Sequence, residues 1–137
     1  MTARSNKAGE FVPMSLKAAF EIEHAKRQAE IRRREEAERR QQEEDLSRAE
    51  ELYDAIVGDP EFLAAHRLTV DWRRYRVSLE SPDFRISAYF EAGRASITSG
   101  DKRAALPGSP TPRKQETVET VAEALSVMAL FLVDETR

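Results

Sequence analysis

The residues best placed to do chemistry are arginines and hydroxyls set at every second position between strand-forming residues. In "YRVSL" (75–79) and "FRISAYF" (84–90), apolar residues alternate with Arg76, Ser78, Arg85, Ser87 and Tyr89. Successive side chains of a strand point to opposite faces, so these five share a face opposite the apolar set. Arg74, Arg94, Ser96 and Thr98 extend it, and Lys102, Arg103, Arg113 and Lys114 follow in the next segment. A guanidinium offers a planar fork of donors to phosphate, and an aromatic ring stacks a base. Nucleic acid is therefore one expected partner, through Arg74, Arg76, Arg85, Tyr89, Arg94, Lys102 and Arg103. The competing explanation is solubility, since strand exteriors carry such residues and edge charges block unwanted pairing.

Other chemistry has less to work with. Glu21 and His24 have the i, i+3 spacing of di-iron bundles, but Leu63 stands three before the second histidine, His66, so no matching pair exists and no metal site is expected. With two histidines and no cysteine, thiol catalysis, thiolate metal sites and disulfides are excluded. No Gly-rich phosphate loop, nucleophile elbow or HExxH is found. The expectation is a non-enzymatic protein with no cofactor and no evident small-molecule substrate. The longest uncharged apolar run, 124–133, is half the roughly twenty residues of a membrane helix. With no segment of signal-peptide type at the start of the chain, a soluble cytoplasmic protein without membrane contact is expected.

The elements that must position these residues follow from periodicity. Residues 1–13 are polar and aperiodic, the pattern of a disordered tail. From residue 14 there is no proline or glycine until Gly58, which predicts one helix of 44 residues, roughly 65 Å long. Its sequence divides into an apolar start (Leu16, Ala19, Phe20, Ile22), an almost wholly charged middle, and a stripe of Leu46, Ala49, Leu52, Tyr53 and Ile56 that faces a core. Glutamate precedes arginine by four at 23/27, 30/34, 35/39, 36/40 and 44/48. Each pair supports the helix by about 0.2–0.5 kcal/mol, so the middle can stand as a helix without a packing partner, the alternative being a coiled-coil partner held through the apolar ends. The expected division is an extended charged helix over 14–45 and a compact domain over 46–137.

Within that domain, Gly58 ends the helix and Asp59–Pro60 starts a short one, "PEFLAAH". Alternation then predicts strands at "LTVDW", "YRVSL", "FRISAYF" and "ASIT", with a bulge or bend at Arg73–Arg74 where the parity changes. Residues 99–112 are polar and proline-rich and read as a mobile loop. A last helix, beginning between Thr111 and Thr117 and ending near Asp134, is apolar over more than half its girth. The predicted fold is α+β: a long charged helix, then a three- to four-stranded antiparallel sheet with a C-terminal helix on one face. The helix–three-strand–helix order is similar to that of the double-stranded RNA-binding domain. Arg113 and Lys114 stand near the predicted start of the last helix, but Glu116, Glu119 and Glu123 follow at once, so the resemblance is one of topology.

Charge is unevenly spread. Residues 14–57 carry nine basic and twelve acidic side chains, 67–114 ten and five, and 115–137 one and five. Apolar surface is in surplus at both ends, and large exposed apolar patches mark partner sites. Leu16, Phe20, Ile22, Leu130 and Phe131 are therefore expected to dock a protein partner or a second copy, with the charged segment as spacer.

Overall fold

The structure is a computed structural model that describes residues 15–106 and 109–136, and side chains over 15–103 and 112–136. The elements run α1 (Leu16–Val57), α2 (Pro60–Ala65), β1 (Thr69–Arg73), β2 (Arg76–Glu80), β3 (Phe84–Glu91), β4 (Arg94–Leu106), β5 (Ser109–Val118) and α3 (Val121–Glu135). The fold is α+β, and the sheet has five strands rather than three or four. The chain divides into two units, one reaching to Arg39 and one from Arg40 onward. The predicted tail over 1–13 lies outside the described residues.

The first unit is the N-terminal part of α1. Its start is anchored by Ser15, whose Oγ accepts from the Ala18 amide at 3.1 Å. Lys26 and Glu23 pair at 3.2 Å, and Arg39 pairs with Glu36, both at i, i+3 spacing. Such exposed pairs bias a helix by tenths of a kcal/mol.

The second unit is a meander in which each strand pairs antiparallel with the next, in the order β1-β2-β3-β4-β5. Two-residue turns make this possible. Arg74 and Tyr75 join β1 to β2, with Arg74 at φ 55°. The expected bulge at Arg73–Arg74 is therefore a chain reversal, which resets the parity just as a bulge would. Ala92 and Gly93, at φ 54° and 80°, form the β3–β4 turn, the pair of positive φ values that suits the right-handed twist of a hairpin.

One face of the sheet is the core. Val77, Leu79, Phe84, Ile86, Ala88, Phe90, Ala95 and Ile97 are buried on it, against Ala49 and Leu52 of α1 and Ala124, Val127, Met128, Phe131 and Leu132 of α3. Helix α3 lies across β3, β4 and β5. Leu46, expected in the α1 stripe, is 39% exposed, and the buried series is instead Asp45, Ala49 and Leu52. Tyr53 and Trp72 meet beside it, ring centroids 5.1 Å apart.

Asp45 ties α1 to the β3–β4 turn. Its Oδ1 accepts from the Gly93 amide at 3.0 Å and from Gln41 Nε2 at 3.2 Å, while Arg48 Nη1 donates to the Gly93 carbonyl at 3.0 Å. Gln41 and Asp45, read as part of a charged spacer, belong to the compact unit. Arg48, expected to pair with Glu44, reaches inward to the turn.

Two further expectations are corrected. Residues 99–112 are not a loop but hairpin strand on both sides of 107–108. The last helix begins at Val121, not between Thr111 and Thr117. Thr120 caps it: its Oγ1 accepts from the Glu123 amide at 3.0 Å, and Glu123 Oε1 accepts from the Thr120 amide at 3.1 Å. Arg113 and Lys114 therefore lie in β5, and the five-strand order departs from that of the double-stranded RNA-binding domain. Among the described residues, no helix is long and apolar enough to cross a membrane.

Candidate functional site: the open face of the sheet

Strand register sorts the open face into three rows. The first runs Arg73, Arg76, Tyr89, Ser96 and Thr117. The second runs Asp71, Ser78, Ser87, Thr98 and Gln115. The third runs Thr69, Glu80, Arg85, Gly100 and Pro112. Side chains of the middle row are short, and those beside it are long where β2 and β3 carry arginine, tyrosine and glutamate. Same-face rows stand about 7 Å apart along a strand, so a shallow groove crosses the strands between them. Residues of all three rows line this one depression.

The groove floor is polar yet covered. Ser78 and Ser87 are 3% and 8% exposed, and their hydroxyls hydrogen-bond each other at 2.9 Å. Gln115 Nε2 donates to Ser96 Oγ at 3.0 Å, closing the groove on the β5 side. At the β1 edge Arg73 Nε pairs with Asp71 Oδ2 at 2.9 Å.

The cations of the face divide into spent and unspent. Arg85 pairs with Glu80, and Lys102 Nζ reaches Glu80 Oε1 at 3.0 Å and the Ser81 carbonyl at 2.7 Å. Arg76 carries no ion pair among the described residues, and its guanidinium carbon lies 5.4 Å from the centre of the Tyr89 ring. Arg94, exposed at the start of β4, also carries none. Arg74 is not on the face; it sits in the β1–β2 turn, 5.3 Å over the Tyr75 ring.

Arg103 points to the other side of β4. It and Arg113 bridge the same two carboxylates, Asp101 at 2.9 and 3.0 Å and Glu135 at 3.1 Å each. Glu135 is 5% exposed at its side chain, so this ring of four charges fastens α3 to the hairpin. Hydrogen bonds from the Arg103 side chain and amide hold the Asp101 carboxyl below the usual carboxylate range, and the Asp101 carboxylate raises Arg103 in turn. Lys114 pairs with Asp134 and lies 5.9 Å from the Phe131 ring centre. Of the seven residues expected to touch nucleic acid, the face brings together Arg76, Arg85 and Tyr89, with Arg94 at its border and Lys102 beside the third row. Gln115 is not among the residues expected on the face, because 99–112 reads as a loop and the stretch after it as the start of the last helix; the alternation of Ser109–Val118 gives no strong signal of its own.

The residues expected to dock a protein divide as well. Leu16, Phe20 and Ile22 are 86%, 62% and 44% exposed, and Phe20 stacks on His24 at 5.6 Å. Leu130 is 54% exposed, whereas Phe131 is 4% exposed and part of the core. Its place on the outer surface is taken by Val133, 61% exposed. Ala122, Ser126 and Ala129 share that surface at helical spacing, and no charged residue occurs between Ala124 and Val133. Among the described residues there is no cluster of three or more metal-ligating side chains. Comparison of the chain with known protein families, with curated proteins and with solved structures gives no match.

Proposed function

We propose that the protein is a non-enzymatic association module that binds protein through exposed helical surfaces. The observation that carries this reading is the outer face of α3. It presents Leu130 and Val133, flanked by Ala122, Ser126 and Ala129, with no charge over ten residues. Solvent-facing helix surfaces ordinarily carry charged side chains, and a contiguous uncharged strip is what a packing partner requires. Leu16 and Phe20, one helical turn apart, supply a second apolar surface on the first unit, and Ile22 is exposed on another side of the helix.

Self-association is the simplest form of this reading, because it needs no further component. Sedimentation velocity over a concentration series tests it, comparing the wild type with Leu130→Glu/Val133→Glu and with Leu16→Ser/Phe20→Ser. The expected outcome is a concentration-dependent shift to a larger species that the α3 variant abolishes and the α1 variant weakens. A wild type that sediments as a monomer at every concentration, indistinguishable from both variants, refutes self-association.

A further inference from the structure

We propose that the groove on the open sheet face binds a single phosphate monoester carried on a small polyol, such as a sugar phosphate, with the phosphate on Arg76. This site is separate from the α3 surface and does not depend on association through it.

Three observations converge on this ligand. The first is the middle row. A solvated sheet face needs only to be polar, and long charged side chains serve that need. Here the row between two longer ones is built from Ser78, Ser87, Thr98 and Gln115. Ser78 and Ser87 bond each other and Gln115 bonds Ser96, but each hydroxyl keeps a spare lone pair and Thr98 keeps its donor, which can meet the hydroxyls of a polyol at the groove surface. The second is the state of the charges. Arg73 is paired by Asp71, and Arg85 and Lys102 share Glu80, which leaves Arg76 as the guanidinium within the groove that has no carboxylate. The third is its preparation. Contact with the Tyr89 ring restrains an otherwise flexible side chain, and a guanidinium held in place loses less freedom on binding an anion.

The same charge balance decides between ligand classes. A strand of nucleic acid presents a row of phosphates, and affinity for it grows with each one neutralised. Arg76 in the groove and Arg94 at its border lack a carboxylate, and Arg85 with Lys102 exceeds Glu80 by one charge, a compact set that matches one phosphate dianion rather than a row of phosphates. The polyol then lies along the hydroxyl floor rather than continuing as a polyanion.

The test is a titration of the full-length, isotope-labelled chain followed by NMR, reading backbone amides and arginine Nε signals. The probes are glucose 6-phosphate, glucose, inorganic phosphate and a single-stranded oligothymidylate. Glucose 6-phosphate is expected to move Arg76, Ser78, Ser87 and Thr98 saturably, with inorganic phosphate acting weaker at Arg76 and glucose without effect. Arg76 is exposed, so Arg76→Ala retains the fold, which the spectrum itself verifies. It should weaken binding by about tenfold or more, the loss of one charge-assisted contact. Arg76→Lys keeps the charge but not the fork and should also weaken it. The proposal is overturned by no saturable shift up to roughly 10 mM glucose 6-phosphate, or by affinity that Arg76→Ala leaves unchanged. Glucose binding as tightly as its phosphate overturns it too. So does tighter binding of the oligonucleotide with a salt dependence of several charges, which assigns the face to nucleic acid.

Discussion

Replacing Asp45 by alanine removes the acceptor on which the β3–β4 turn is hung. Two donors lose their partner: the Gly93 amide, at 3.0 Å, and Gln41 Nε2, at 3.2 Å. A hydrogen bond to a charged group is worth about 1.5–3 kcal/mol net, so the two amount to about 3–6 kcal/mol. Part of this is offset, because Asp45 is 4% exposed and its removal ends the desolvation of a buried carboxylate. The expected loss is therefore about 2–4 kcal/mol. At several degrees per kcal/mol for a domain of this size, the melting midpoint should fall on the order of 10 °C. Asp45→Asn keeps an acceptor oxygen without the charge and should cost about 1 kcal/mol. Arg48 grips the same residue through its carbonyl, so Asp45→Ala and Arg48→Ala should be non-additive in a double-mutant cycle. Urea denaturation of wild type, Asp45→Ala, Asp45→Asn, Arg48→Ala and the Asp45→Ala/Arg48→Ala double variant measures all of this. An Asp45→Ala variant within about 0.5 kcal/mol of wild type, the range of ordinary surface changes, refutes the clamp.

Other changes have equally definite expectations. Ser99 Oγ is buried without a hydrogen-bond partner, so Ser99→Ala should stabilise the fold by about 1 kcal/mol, read as a raised urea midpoint. Ala92 holds a positive φ that a Cβ disfavours, and Ala92→Gly should stabilise the fold by about 0.5–1 kcal/mol, read as a raised urea midpoint. Because its bond to Arg103 depresses the Asp101 pKa, Asp101 contributes stability that is present above the unfolded carboxyl value and lost as pH falls through the folded one. Asp101→Asn should therefore be less stable than wild type at pH 7, with the gap closing below about pH 4 in a series of thermal melts.

The parts of this fold that could be read from the sequence are those in which a single physical demand dominates. Alternation gave β2 and β3 because one side of each strand meets a core, and Gly58 with Pro60 marked the break between α1 and α2. Strand β5 was hidden. It is an edge strand that carries Pro110 and Pro112, and Val118 is its one buried apolar side chain among those described. Edge strands tolerate proline on the unpaired side, so the residues that suggested a loop are also ones an edge can hold. Asp45 was hidden differently. It follows Glu43 and Glu44 in an unbroken polar run, and only its phase, four before Ala49 and seven before Leu52, separates it from solvent-facing neighbours. Phe131 and Leu130 were indistinguishable within a broad apolar arc until Ala124, Val127 and Met128 fixed which side of α3 meets the sheet. For the candidate groove, the alternating arginines and serines were legible, but which arginine remained unpaired depended on cross-strand register.

The meander has a consequence for the order in which the chain folds. Each strand bonds to the one next in sequence, through connections of two or three residues. Closing such hairpins costs little chain entropy, and they form in microseconds. The bond between Asp45 and Gly93 joins residues 48 apart, so it has to wait for a turn that the strands build without it. A contact made after the rate-limiting step leaves the folding rate nearly unchanged and governs unfolding. The clamp then acts as a latch on lifetime: its loss should steepen escape from the native state and leave arrival there almost untouched.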